Sequence, residues 1–348
     1  MKIREKQVNA YESVVVGVDE AAGYHGIIVI HSTVLGPAVG GTRFWNYSTE
    51  EEAVTDGLRL ARAMTYKNSL AGLPFGGGKS VIIGDNRIKE RENIFHAHGK
   101  LIESLAGKYI AGEDVGTSPA DIEIAALETR HVAGRRDLSG DPSPVTARGV
   151  FRAMQASAKY RWGSDDLSGR TVALQGCGHV GYYLAKGLHK AGVKLIVSDV
   201  DQQKVVTVVR EFDARAVDPE KIYGVEADIF APCALGGILN DRTIPQLQVE
   251  MVVGGANNQL LEPRHGDALE GRSILYAPDY AANAGGITNG AIELLGWERE
   301  YTFAKVDEIY DTILRIYQIA QSHGIPAHKA ADRLAEQRIE QAKSPMRS

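Results

Sequence analysis

Short apolar runs stand at residues 13–18 and 26–30, the length and composition of strands. Ser48, followed three positions later by Glu51, opens a helical pattern as a capping box does. These signals predict an α/β arrangement for the first third of the chain. From about Arg170 the pattern becomes regular. Short apolar runs at 171–174, 195–197, 228–230, 251–253 and 274–276 alternate with helical stretches, the order expected of a parallel sheet crossed over by helices. Between the two patterns, Gly140, Asp141, Pro142, Ser143 and Pro144 form a cluster of turn residues, so a hinge is expected there, with a helix starting just after Thr146. The predicted division is 1–140 and 141–325. From about 301 to 343 the pattern reads as two helices parted by Gly324, Ile325 and Pro326, and the last, about 326–348, is expected to pack back on the first domain.

A chain of 348 residues suits two domains of ordinary size. With 44% hydrophobic and 24% charged residues it has the balance of a soluble globular protein, and no run is apolar enough to cross a bilayer. The opening MKIREKQVNA lacks the apolar core of a secretory signal, so a cytoplasmic location is expected. The net charge of -5 is spread without a basic stripe, which argues against nucleic-acid and membrane partners. Cys177 and Cys233 stand far apart in the chain with no His or Cys at metal-ligand spacing, so two buried thiols are expected, with no disulfide framework and no metal.

The run 171–174 leads directly into Gly176, Cys177, Gly178, His179, Val180 and Gly181, and 182–190 looks helical. A strand, a glycine-spaced turn and a helix are the setting in which a dinucleotide is bound. The first glycine permits the tight turn, the second lets backbone approach the pyrophosphate, the third brings helix close to strand, and the helix N-terminus favours negative charge. The next strand ends at Asp199, a residue suited to accept hydrogen bonds from ribose hydroxyls and to repel a 2′-phosphate, which predicts NAD over NADP. The plainer alternatives are a chance glycine-rich turn and, for Asp199, a helix cap.

Three stretches of the first domain carry further candidate chemistry: Gly36 to Arg43, whose glycines could bring backbone N–H groups close to an anion; Met64, Thr65, Tyr66, Lys67 and Asn68, followed by Gly76, Gly77, Gly78 and Lys79; and the acidic turn Glu113, Asp114. Singly, each charged residue reads as a surface group. Together they supply what amination chemistry requires.

The stretches GGTRFW, MTYKN, GGGKS, EDVG, DPSPVT (where the family pattern has Asn first), IFAPCALGG, GGANNQL and YAPDY with NAGG resemble the glutamate/leucine/phenylalanine/valine dehydrogenase superfamily, most of all its leucine and phenylalanine branch. They stand in the family's order over nearly the whole chain. The resemblance implies an α/β fold with an N-terminal substrate domain, a C-terminal Rossmann domain with a doubly wound parallel sheet for NAD, and a cleft between them that closes on the substrate. It implies NAD-dependent oxidative deamination of an apolar L-amino acid, and a homo-oligomer, dimer or octamer.

By the same resemblance Lys67 binds the α-carboxylate, with Gly40, Gly41 and Met64 on the same wall, and Asn257 fixes substrate and nicotinamide. The implied cofactor contacts are Thr146, Gly176, Cys177, Gly178, His179, Val180, Gly181, Asp199, Val200, Ala234, Leu235, Ala256 and Asn257. Lys79 and Asp114 form the catalytic pair. Several protons must move as water attacks an iminium and ammonia leaves, so a lysine whose pKa is lowered by burial and by the like charge of Lys67 can serve as base while Asp114 shuttles a proton on the amine.

Four positions address the side chain. The glutamate branch has a lysine where Val39 stands, so an acidic substrate is disfavoured. Leucine members typically carry Leu, Ala, Val and Val where this chain has Val39, Gly112, Ile287 and Gly290, which implies a wider pocket for phenylalanine, tryptophan or leucine. Ile287 weighs against this, Gly290 could serve only helix packing, and a leucine- or valine-preferring enzyme is the alternative. Remoter readings are a 2-hydroxy-acid dehydrogenase, which needs a His or Arg with a carboxylate, and a non-catalytic NAD-binding module, expected to have lost Lys67, Lys79 or Asp114.

Overall fold

The computed structural model describes residues 1–134 and 140–343, and contacts divide it into two compact units. The first unit takes the described residues of Met1–Gly140, Gly290–Trp297 and Ala335–Ser348; the second takes Asp141–Asn289 and Glu298–Leu334.

In the first unit the strands are β1 (Lys2–Lys6), β2 (Ser13–Asp19), β3 (Tyr24–Ser32), β4 (Ala38–Trp45), β5 (Gly76–Ile83) and β6 (Tyr109–Glu113). The helices α1 (Glu50–Leu70) and α2 (Glu92–Glu103) connect β4 to β5 and β5 to β6, and α3 (Pro119–Ala125) follows β6. The sheet order is β1-β2-β3-β5-β4-β6, antiparallel from β1 through β5 and parallel among β5, β4 and β6. Alternation along the strands divides the core in two. Val14, Val16, Ile27, Val29 and Val81 pack with Ala53 and Ala61 of α1, while Val15, Ile28, Ile82 and Tyr109 pack with Phe95, Leu101 and Ile102 of α2.

The second unit opens with α4 (Ser143–Trp162) and continues through β7 (Thr171–Gln175), α5 (His179–Lys190), β8 (Lys194–Ser198), α6 (Gln202–Phe212), β9 (Arg215–Ala216), β10 (Ile229–Pro232), β11 (Met251–Val252), α7 (Arg264–Gly271), β12 (Leu275–Tyr276) and α8 (Asp279–Ala282). All its strand pairs are parallel, in the order β12-β11-β10-β7-β8-β9. The direction of strand addition reverses at β7 and β10, which opens a crevice beyond their carboxyl ends, where this class of sheet binds ligands. The chain closes with α9 (Gly285–Leu295), α10 (Arg299–Asp307), α11 (Ile309–His323) and α12 (Ala327–Lys343). Among the described residues no helix is long and apolar enough to cross a membrane.

Several local expectations shift. The cap of α1 lies one residue on: Thr49 accepts from the Glu52 amide at 3.1 Å, and the Glu52 carboxylate accepts from the Ser48 amide. Helix α4 starts at Ser143, not after Thr146, because Pro144 sits in the first turn, where no N–H is required, and Thr146 already bonds the Pro142 carbonyl. The predicted helix from 301 breaks at Glu308 into α10 and α11. The glycine-rich stretches at 38–45 and 76–83, to which no element was assigned from the sequence, are the strands β4 and β5. Contacts also assign 290–297 to the first unit, where the Glu293 carboxylate accepts from the Gly134 amide at 2.8 Å, and they split α12 between Leu334 and Ala335. Beyond that point Tyr66 donates to Glu336, Ser69 to the Ala335 carbonyl, and Arg338 to the carbonyls of Ser69 and Leu70.

Candidate active site

Alternation along β5 puts Gly77, Lys79 and Val81 on the α1 side of the sheet and Ser80 on the other. Gly77 is required by packing: a Cβ there would stand 2.0 Å from the Thr65 amide nitrogen of α1. Gly40 answers to its neighbour strand, since its Cβ would meet the Gly78 carbonyl oxygen at 1.8 Å. These glycines therefore let helix and strand backbones close on one another, the reason they sit in strands rather than in loops.

Lys79, only 5% exposed, places its Nζ 3.0 Å from Asp114 Oδ2. The same oxygen accepts from Arg43 Nε at 2.9 Å, and Arg43 Nη1 donates to Asp56 Oδ2 at 2.9 Å. Asp56 also accepts from the Tyr47 hydroxyl and from Arg59. The Asp114 turn is pinned through Thr117, whose hydroxyl accepts from the Asp114 amide and bonds the Thr42 carbonyl. Burial pulls the Lys79 ammonium below the usual lysine range; Asp114 opposes this and Arg43 adds to it. Burial pushes Asp114 upward, but Lys79 and Arg43 outweigh it and hold the carboxyl below the usual range. The like charge that lowers the Lys79 pKa is that of Arg43, where the sequence pointed to Lys67.

On the other face, a buried polar chain holds β4 and β5 in place. The Tyr109 hydroxyl donates to the Gly40 carbonyl at 2.8 Å and to Ser80 Oγ, and Ser80 donates to Thr42. His98 lies within 3.3 Å of both hydroxyls through Nε2 and bonds Tyr24 through Nδ1 at 2.9 Å. Burial holds its pKa down at about 3, so it stays neutral. Spacing alone carries no signal for Tyr24, Asp56, His98 or Tyr109, which is why the sequence reading passes over them.

Of the expected substrate residues in this unit, Gly41 is register partner to Gly112, Val39 is buried beside them in β4, and Met64 and Lys67 are half-buried on α1. Space is open at the two small positions: a Cβ on Gly112 would meet only the Ala133 carbonyl oxygen, at 3.6 Å, and one on Gly290 nothing within 4 Å. Ile287 falls on the part of α9 assigned to the second unit.

In the second unit β7 delivers Gly176 at φ +98°, and α5 begins with Gly178 as its N-cap. A Cβ on Gly181 would stand 1.9 Å from the Gly176 carbonyl, whereas one on Gly178 would meet nothing within 4 Å. The turn is therefore closed on the protein side and open where a phosphate would approach, so these residues fit a dinucleotide. Asp199, at the end of β8, accepts from the Cys177 amide at 2.6 Å and the Asp201 amide at 2.8 Å, while Asp201 is the cap of α6. Val200 and Leu235 are 88% and 74% exposed, and Ala234 meets Gly176 across the crevice. Thr146 is buried in the first turn of α4, and Ala256 and Asn257 lie in the loop after β11, where Asn283 donates to Asn257 Oδ1 at 2.8 Å. Cys177 and Cys233 are free thiols, and burial pushes both up to about 12; Cys177 is buried, whereas Cys233 is half-buried, less than expected.

Residues 7–131 match the family model for the Glu/Leu/Phe/Val dehydrogenase dimerisation domain, and 139–217 with 196–346 match that for Glutamate/Leucine/Phenylalanine/Valine dehydrogenase. The chain is 54% identical over 341 residues to a leucine dehydrogenase of Geobacillus stearothermophilus, covering 96% of this chain and 93% of that one. It is 46% identical over 339 residues to a valine dehydrogenase of Streptomyces virginiae, covering 96% and 95%. The crystal structure of L-tryptophan dehydrogenase from Nostoc punctiforme superposes with a TM-score of 0.88 at 43% identity, covering 96% of this chain and 97% of that one.

Proposed function

The chain belongs to the Glu/Leu/Phe/Val dehydrogenase family, and we propose that, as an NAD-dependent L-amino-acid dehydrogenase, it acts on a bulky apolar substrate of aromatic or leucine size. The observation that carries the reaction type is the 3.0 Å ion pair between buried Lys79, which follows three glycines in β5, and half-buried Asp114. When bound, NAD supplies the acceptor for the α-hydrogen of the amino acid as hydride. Lys67 holds the substrate α-carboxylate beside Gly40, Gly41 and Met64, which fixes the direction in which the α-hydrogen points. Lys79, its proton affinity reduced by burial, takes a proton from the water that attacks the iminium carbon. Asp114, kept ionised by Lys79 and Arg43, takes a proton from the substrate ammonium before hydride leaves and returns it to the amine as ammonia departs. Asn257 orients the carboxamide and substrate, held in turn by Asn283.

Room at Gly112 and Gly290 favours the bulky side chain, and Val39 offers no charge to an acidic one. Similarity to leucine and valine dehydrogenases supports a second reading, a preference for short branched substrates. The first unit matches a model described as a dimerisation domain, which supports self-association, as a dimer or an octamer. Initial rates of NADH formation with a panel of L-amino acids decide the substrate, with phenylalanine, tryptophan or leucine expected above valine in kcat/KM. Reduction of the matching 2-oxo acid without ammonia would instead identify a 2-hydroxy-acid dehydrogenase.

A further inference from the structure

Asp114 Oδ2 is shared. Lys79 and Arg43 reach the same oxygen at 3.0 and 2.9 Å, so the two cations lie within about 6 Å of each other, a range in which like charges shift proton affinity strongly. Arg43 does not end there, because its other arm is held by Asp56, and Asp56 is anchored by Tyr47 and Arg59. The result is a line of alternating charge running Lys79, Asp114, Arg43, Asp56. We propose that Arg43 and Asp56 are a positioning pair behind the reacting residues, which sets the pH at which Lys79 becomes a base. The proposal rests on the assignment of Lys79 as that base and adds the groups that tune it.

The surroundings of Lys79 can be enumerated by element. Strand β4 contributes Arg43 and the turn after β6 Asp114; α1 carries Asp56, with Arg59 bonded to it, and Lys67 further along; and β3 sets Val29 opposite Lys79 and carries His31, which bonds Thr65 of α1 and whose pKa burial lowers. Tyr24, His98 and Tyr109 lie across the sheet, where burial keeps them neutral. Two consequences follow with opposite signs. Without Arg43, Lys79 loses a repelling cation and has the Asp114 oxygen to itself, so it holds its proton to higher pH. Without the charge of Asp56, an attracting anion is lost and Arg43 turns wholly to Asp114, so Lys79 releases its proton at lower pH.

The test is the pH profile of kcat/KM for deamination in Arg43→Gln, Asp56→Asn and Arg43→Lys. The rising limb is expected to move up by about 1 pH unit in the first and down in the second, and Arg43→Lys, which keeps the charge, returns it toward wild type even where kcat falls. A structural role alone lowers kcat or Tm without moving the limbs apart. Competitive labelling of lysines with acetic anhydride, read by mass spectrometry on Lys79, reports its proton affinity independently of turnover. An unchanged labelling pKa in both neutralised variants, or shifts of one sign, overturns the proposal. Opposite labelling shifts with an unmoved rate profile uphold the electrostatic role and instead overturn Lys79 as the base. Should Arg43→Gln fail to fold, Asp56→Asn and Arg43→Lys decide the matter, since a downward shift in the former is required.

Discussion

The side-chain pocket yields the sharpest test, through Gly112→Ala combined with Gly290→Val. The added methyl at Gly112 would lie 3.6 Å from the Ala133 carbonyl oxygen, an ordinary contact, and the first atom added at Gly290 meets nothing within 4 Å. Neither added Cβ meets a close neighbour, and replacing a helical glycine at 290 removes a conformational cost, so Tm should hold or rise slightly. What changes is volume. A methyl-sized difference in a hydrophobic pocket is worth about 1–3 kcal/mol of transition-state discrimination, roughly 10–200-fold in relative kcat/KM. The ratio of kcat/KM for phenylalanine to that for valine is expected to fall by that factor, measured from NADH absorbance with both substrates under identical NAD saturation. If the variant keeps the wild-type ranking and Tm, these positions do not line the pocket, and the preference for a bulky substrate loses its basis.

Three further outcomes are expected. Lys79→Ala should leave the KM for the amino acid near wild type and lower kcat by about 10²-fold or more, because the base acts in the transition state; a wild-type kcat refutes the role. The wild-type enzyme should use NAD with higher kcat/KM than NADP, since a 2′-phosphate would meet the Asp199 carboxylate at the end of β8; equal efficiency with NADP rules that out. Gly77→Ala and Gly178→Ala should separate packing from binding. The first drives a Cβ to 2.0 Å from a backbone nitrogen and should cost about 1–3 kcal/mol or more, seen as a lower Tm, whereas the second meets nothing in the protein and should raise the KM for NAD at unchanged Tm.

The sequence was most informative where chemistry depends on neighbours in the chain. The run from β7 through Gly176 and Gly181 into α5 is a local motif, and its strand, turn and helix are legible because glycine spacing and apolar periodicity act over a dozen residues. Its parallel sheet was equally plain from the alternation of apolar runs with helices. The first unit was read less well. Its β4 and β5 were missed because glycines weaken the strand pattern, and the reason for them, the approach of Thr65 and of the neighbouring strand, exists only once the sheet and α1 are packed. Lys79 and Asp114 were named through the family resemblance of their stretches, yet their 3.0 Å contact joins residues 35 positions apart, and Arg43 and Asp56 enter the same charge line from another strand and a helix. Composition and local pattern thus determined the class of fold, the nucleotide motif and the residue types of the site. Tertiary structure alone decided which charges share an oxygen, which glycines are steric necessities and which leave open space, because each depends on distances between segments that no local periodicity encodes.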